Sequence, residues 1–295
     1  MVFNLRKYKY LLVLILLTCI TGYIFLGNNK EQPRLSLPGD SEPQVLGEWL
    51  AWNEVNPQFP KYSTAKVTDI DTGLQFNIAR RGGTYHVDVQ PLTARDTEVM
   101  KQIYNQNWSW KRRAVVVELE NGKKIAGSMN GMPHGGGIIK NNNFDGHFCI
   151  HFRDSITHGS RKLDVAHQMM VMKAAGVIDE QLRLSSAQQL VLIFLAALDQ
   201  KEESIFIKTT EPGAYQNLLL LELQSLESMK VIDIQESGDN LFQVRLRKQL
   251  MGSNQQMILE KEIMTLKKGG QWEVTRESVE LLLVDDQPHN PDEKA

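Results

Sequence analysis

Residues 114–129 read AVVVELENGKKIAGSM, two apolar runs set on either side of Asn121-Gly122. Asn-Gly supplies the positive φ angles that a tight two-residue turn demands, and valine and isoleucine suit a pleated, half-buried surface, so the stretch predicts a β-hairpin. Residues 65–81, AKVTDIDTGLQFNIARR, repeat the device around Asp71-Thr72-Gly73. Between the two hairpins, residues 92–106 (LTARDTEVMKQIYNQ) carry helical spacing, with Thr93 as N-cap and Asp96 in the acidic first turn. A further short helix is expected over Asp164 to Ala175, stopped by Gly176. These elements predict a β-rich, catalytic-type domain over residues 46–178.

A second domain is expected over residues 184–284. Residues 185–200 (SSAQQLVLIFLAALDQ) and 212–229 (PGAYQNLLLLELQSLESM) have helical patterns with capping-type starts. Strand-like runs follow at 230–236, 240–250 and 255–268, and residues 269–278 (GGQWEVTRES) read as a hairpin arm. Helices first and antiparallel strands afterwards make an α+β accessory domain. In this order it resembles the small domains of the nuclear-transport-factor-like superfamily. It holds neither His nor Cys, so binding or positioning is its expected work. Residues 285–295 read as a disordered tail.

Arg6, Lys7 and Lys9 precede an uncharged stretch from Tyr10 to Asn29 whose most apolar part is LLVLILLTCITGYIFLG. A run of that length crosses ~30 Å of hydrocarbon as a helix, and the flanking positive charges favour a cytoplasmic N-terminus. The expectation is a single-pass transmembrane helix in the cell membrane, contacting the lipid bilayer through residues 10–27, with both domains extracytoplasmic. A cleaved signal peptide is the competing reading, against which stand the continued apolar residues to Leu26 and the lack of a small-residue cleavage site. Residues 28–45 (NNKEQPRLSLPGDSEPQV) read as a flexible tether. The chain has 295 residues, 42% hydrophobic and 23% charged, with a net charge of −2. That composition supplies cores for two domains and leaves no basic footprint for nucleic acid.

The chemistry concentrates in DGHFCIHF, residues 145–152. Only two cysteines exist, and Cys19 lies in the apolar run, so Cys149 has no disulfide partner in the exported part. Six of the seven histidines, at 86, 134, 147, 151, 158 and 167, lie in the same domain. Histidine serves both as a base near neutral pH and as a metal ligand, so the clustering fits either use. On a strand, His147, Cys149 and His151 project to one side. His134 precedes Cys149 by 15 positions, and the turn-forming PHGGG and NNNFDG sequences can fold it back onto the thiol. An imidazole there can accept the thiol proton and make a nucleophile.

His134-Gly135, followed after a spacer by Gly146-His147-Phe148-Cys149-Ile150-His151, resembles the two motif pieces of bacterial L,D-transpeptidases. The resemblance implies a membrane-anchored cell-wall transferase without a cofactor, in which Cys149 is the acyl-accepting nucleophile, His134 its base and His147 a neighbour shaping the oxyanion site. It implies the stem peptides of peptidoglycan as substrate and partner. Gly135, Gly136 and Gly137 would leave backbone amides open to substrate, and His151, His158 and Gly159 are candidate substrate-orienting groups. Gly146, Phe148 and His151 stand where that family has Ser or Thr, Gly and Arg.

Two other readings stay open. His86-Val-Asp88 can join His147, Cys149 or His151 as ligands of zinc in a wall peptidase or amidase, with bound water as nucleophile. Alternatively, the departures at 146, 148 and 151 fit a wall-binding module without turnover. The Trp108-Ser109-Trp110-Lys111-Arg112-Arg113 run is read as core tryptophans and solvated cations.

Overall fold

The computed structural model describes residues 46–213 and 225–283. After a one-turn helix α1 (Trp52–Val55) come β1 (Thr64–Asp69), β2 (Gln75–Gly82), β3 (Val87–Pro91), helix α2 (Ala94–Ile103), β4 (Arg113–Leu119), β5 (Lys124–Met129) and β6 (Phe148–His151). The six strands close into an antiparallel barrel in the order β1-β2-β3-β6-β5-β4. Closure leaves no free sheet edge. The interior is filled by Val67, Phe76, Ile78, Val87, Val89, Val115, Val117, Ile125, Met129, Phe148 and Ile150. Each such side chain contributes about 1.5–3 kcal/mol by leaving water.

Both predicted hairpins form. Gly122 takes φ 81° and the Gly122 amide donates to Leu119 O at 2.8 Å, while Asn121 Oδ1 accepts from the Lys123 amide. At the first hairpin, Gly73 takes φ 68° and Asp69 organises the turn, accepting from the Thr72 amide at 3.0 Å and the Thr72 hydroxyl at 2.8 Å. Asp69 is fully buried and also receives two bonds from the Arg113 guanidinium, at 2.7 and 2.6 Å. Replacing one partner of such a buried pair strands the other, so Asp69→Ala is expected to lower stability by about 3 kcal/mol in urea unfolding. A loss below about 1 kcal/mol would show that Arg113 finds relief at Asp71 instead.

The run AVVV of β4 is continuous because both faces of the strand are covered. Val115 and Val117 point into the barrel, whereas Ala114 joins a second core outside it. That second core is built on helix α3 (Val165–Ala175), capped by Asp164 and ended by Gly176 at φ 71° as expected. Met169, Met170, Val171 and Ala174 of α3 lie between the barrel wall and the C-terminal part.

The C-terminal part comprises α4 (Ile178–Leu184), α5 (Ala187–Gln200), α6 (Glu203–Thr209), β7 (Leu226–Gly238), β8 (Leu241–Leu250), β9 (Gln256–Lys268), β10 (Gln271–Val274) and α7 (Arg276–Leu283). The strands form a four-stranded antiparallel sheet, β10-β9-β8-β7. Leu190, Val191, Phe194 and Leu198 of α5 share a core with Phe242, Val244, Leu246, Ile263 and Val274 of the sheet. A β-rich unit followed by helices and then an antiparallel sheet is therefore present.

Three expectations need correction. Leu226 to Met229, read as the end of a helix, open β7 instead, because Met229 turns into the sheet core and its amide donates to the buried Asp199 carboxylate at 2.9 Å. The rest of that expected helix, residues 214–224, lies outside the described residues. The 269–278 arm stops at Val274, where the Thr275 hydroxyl accepts from the Ser278 amide and starts α7. Lys111 and Arg112 are not solvated cations. Lys111 Nζ donates to the carbonyls of Asp199 and Glu227, and Arg112 bonds Gln200 and Asp164, so both tie the barrel to the C-terminal part. The expected membrane helix, tether and tail lie outside the described residues, among which no helix is long and apolar enough to cross a membrane.

Candidate functional site

β3 pairs with β6 in the register Val87↔Ile150, Asp88↔Cys149, Val89↔Phe148. Because Val87, Val89, Phe148 and Ile150 fill the barrel, alternation sends Asp88, Cys149 and His151 to its outer wall. Phe148 and Ile150 are thus core residues that fix which way the thiol points. Asp88 lies directly across from Cys149, a neighbour 61 positions away in sequence.

The segment between β5 and β6 folds over this wall. His134 and His147 form an antiparallel bridge through two backbone bonds of 2.9 Å. Gly135 at φ 58° and Gly146 at φ 107° permit the bridge, since a Cβ on Gly135 would sit 2.5 Å from His147 Cε1 and one on Gly146 would sit 2.5 Å from the His134 carbonyl oxygen. Further along, buried Gln90 accepts from the amides of Ile138 and Ile139 at 2.6 and 3.0 Å, and Asn142 donates to Pro91 O at 2.8 Å. The glycines serve close packing: Gly135 lies on the His147 ring, and Gly137 lies against Gln90.

The fold-back places His134 Nε2 at 3.2 Å from Cys149 Sγ. His134 Nδ1 faces the Met132 carbonyl at 2.8 Å. A carbonyl only accepts, so Nδ1 carries the proton and Nε2 turns its lone pair to the thiol. The same logic fixes two further rings, with His147 Nδ1 donating to Gly136 O at 3.0 Å and His86 Nδ1 to Ile156 O at 2.8 Å. Their Nε2 atoms, with that of His158, converge on Asp88 Oδ1 at 3.8, 3.5 and 3.2 Å for His147, His86 and His158. Cys149 Sγ lies 3.9 Å from the same oxygen, and Arg81 Nη1 lies 3.8 Å from Oδ2.

Burial, then the Asp88 charge, pushes the Cys149 thiol up, and burial pushes His86 and His147 down. The resting sulfur is therefore a thiol beside neutral imidazoles. It is 5% exposed, while Trp110, 51% exposed, has its ring centroid 5.1 Å from that of His134. That exposure corrects the expectation of a core tryptophan.

Cys149, His134 and His147 thus come together with Gly135, and His158 and Asp88 join them. Gly159 stands in open space beyond His158. His151 does not reach this space. It is buried between His86, ring centroids 4.2 Å apart, and His167, 3.8 Å apart, and His167 Nδ1 meets the Ser128 hydroxyl at 2.8 Å. His151, expected to face substrate or a metal, thus lies under α3, which packs on that end of β6. No family model matches the chain, and no curated protein matches it.

Among the described residues, two groups of side chains bring three or more ligand atoms within 4.8 Å of one another: His86, Asp88, Cys149 and His158, and His134, His147 and Cys149. The Gln90 side chain and the backbone carbonyls of Met132 and Gly136 support the site in roles the sequence does not assign. Gln90 has one sequence signal, a polar side chain on the same strand face as Asp88. The carbonyls of Met132 and Gly136 have none.

Proposed function

We propose that this chain is a membrane-anchored, extracytoplasmic cysteine acyltransferase of L,D-transpeptidase type, acting on peptidoglycan stem peptides. The single observation that supports it is the contact between Cys149 Sγ and His134 Nε2 at 3.2 Å, with the His134 tautomer set by Met132. The membrane placement rests on the uncharged run behind Arg6, Lys7 and Lys9, and the wall substrate on the two motif pieces.

Sulfur attacks the acyl carbonyl as its proton passes to His134 Nε2. Because the thiol is held protonated at rest, transfer accompanies attack rather than preceding it. Collapse of the tetrahedral adduct expels the amine, which takes the proton from His134, and leaves a thioester on Cys149. An acceptor amine then attacks the thioester, losing a proton through His134, and restores the thiol. His147 acts as a positioning residue, since its backbone holds His134 and its ring rests on Gly135. Trp110 offers a flat apolar wall for the substrate beside the dyad.

Intact-mass labelling of the metal-free protein with iodoacetamide or a carbapenem tests the reading. Cys149 is expected to label at neutral pH, and His134→Ala to slow labelling by about a hundredfold, in the range of general-base contributions. A thiol that stays unmodified in the folded protein, or labels equally fast in His134→Ala, would overturn it.

A further inference from the structure

The wall behind the dyad holds more acceptors than protons. His86 Nε2 and His147 Nε2 carry lone pairs, since their Nδ1 protons are given to carbonyls, and both face a carboxylate oxygen that itself only accepts. His86 is 1% exposed and its Nε2 has no hydrogen-bond partner. An unpartnered, buried nitrogen aimed at a buried carboxylate is costly unless a proton or a cation lies between them.

We propose that His86 Nε2, Asp88 Oδ1, His158 Nε2 and Cys149 Sγ form a binding site for a divalent transition metal of the zinc class. Bonds of about 2.0–2.3 Å in a tetrahedron put ligand atoms about 3.3–3.8 Å apart. The separations from Asp88 Oδ1, at 3.5, 3.2 and 3.9 Å, stand within a few tenths of an ångström of that. The donor set of two imidazoles, a carboxylate and a thiolate suits zinc or cobalt and is wrong for magnesium or calcium. His86 is already aimed by the bond from Nδ1 to Ile156 O, the outer-shell support that metal-binding histidines need.

Binding forms a metal–sulfur bond as the Cys149 S–H bond breaks, and the proton leaves to His134 Nε2 or to water; His158, whose Nε2–H faces Asp88 at rest, gives up that proton and ligates as the Nδ1–H tautomer. Two anionic ligands and two neutral imidazoles then balance the dication, so the metal and its four ligands together carry no net charge. This ligand set keeps His86, Asp88 and Cys149 of the sequence-based reading and adds His158, with His147 and His151 left out. Four protein ligands also leave no position for a hydrolytic water, so the site holds metal rather than activating water. Metal binding itself does not depend on acyl transfer. Its consequence does rest on that reading: a sulfur held as a ligand is withdrawn from attack, and metal occupancy switches the acyltransferase off.

The test uses the purified full chain, stripped with a chelator and titrated with cobalt(II), then with zinc. We expect about one equivalent of cobalt bound, with an intense thiolate-to-cobalt charge-transfer absorption that zinc abolishes. Zinc is expected to protect Cys149 from iodoacetamide about tenfold or more, and chelator to restore labelling. His86→Gln and Asp88→Asn should weaken binding about a hundredfold. His158→Gln, at a half-exposed side chain, gives the same answer without threat to folding. Cobalt binding without charge transfer, no protection by zinc, or unchanged affinity in His158→Gln would each overturn the site. Loss of labelling in metal-free His134→Ala, by contrast, bears on the acyltransferase alone.

Discussion

As pH falls through 6.5 the unfolding free energy of the chain is expected to fall, with a slope that steepens towards a limit of about 2.7 kcal/mol per pH unit from two buried imidazoles alone. Burial holds the pKa of both His151 and His167 well below 6.5. In the unfolded chain each takes up a proton near pH 6.5, whereas in the fold each stays neutral. Below that pH the unfolded state binds more protons, so acid favours unfolding, and the loss continues until the folded-state values are passed. At pH 6.5 each ring of the unfolded chain is half protonated and the slope is about half that limit, fading out about one pH unit higher. The folded state resists protonation because the rings stack on each other and on His86, with Arg112 and Lys230 adding positive charge nearby and Asp164 offering only partial relief. Urea unfolding at a series of pH values reads the slope directly. His167→Asn keeps a polar atom near Ser128 and removes one titrating ring, so the slope is expected to fall by about half. A stability that is flat from pH 7 to pH 5 would mean the imidazole stack is protonated or open to water.

That stack also marks how far the sequence was legible. The hairpins at 65–81 and 114–129, the Thr93 cap with Asp96, and the Gly176 stop are local devices, and each formed where its residues stand. The pairing of His134 with Cys149 was legible too, because the turn-forming spacer between them is itself a local signal. What stayed hidden is the company of the sulfur. Asp88 reaches Cys149 through the β3–β6 register, and no sequence pattern announces which of six strands lies beside which. His151 shares a strand face with Cys149, as period-two alternation requires, yet helix α3 lies over one position and not the other. Lys111 and Arg112 look like surface cations until α5 and β7 supply the carbonyls that Lys111 bonds, and Asp164 at the start of α3 the carboxylate that Arg112 bonds. Local chemistry fixes the elements, whereas long-range pairing decides which charged and nucleophilic groups face each other.

The bridge that holds the dyad has one weak point, and Gly146→Ala strikes it. Gly146 sits at φ 107°, a region closed to residues with a Cβ, and the added carbon would lie 2.5 Å from the His134 carbonyl oxygen and 3.0 Å from that of Gly135. Backbone oxygens cannot swing aside like the tip of a flexible side chain. The segment must lift, breaking both 2.9 Å bonds between His134 and His147. Backbone strain of about 1–3 kcal/mol and two lost hydrogen bonds at about 1 kcal/mol each predict a destabilisation of about 3–5 kcal/mol. The chemical consequence follows from the same movement, since the 3.2 Å contact between His134 Nε2 and Cys149 exists only while the bridge is closed. Under conditions where the variant remains folded, thiol labelling should therefore drop to the level of His134→Ala, although no reacting side chain has changed. Gly159→Ala, where an added Cβ meets open space, is the matched control and should leave stability and labelling alike unaffected. If Gly146→Ala lost stability yet labelled at the original rate, the imidazole would be reaching the sulfur by some route other than the bridge.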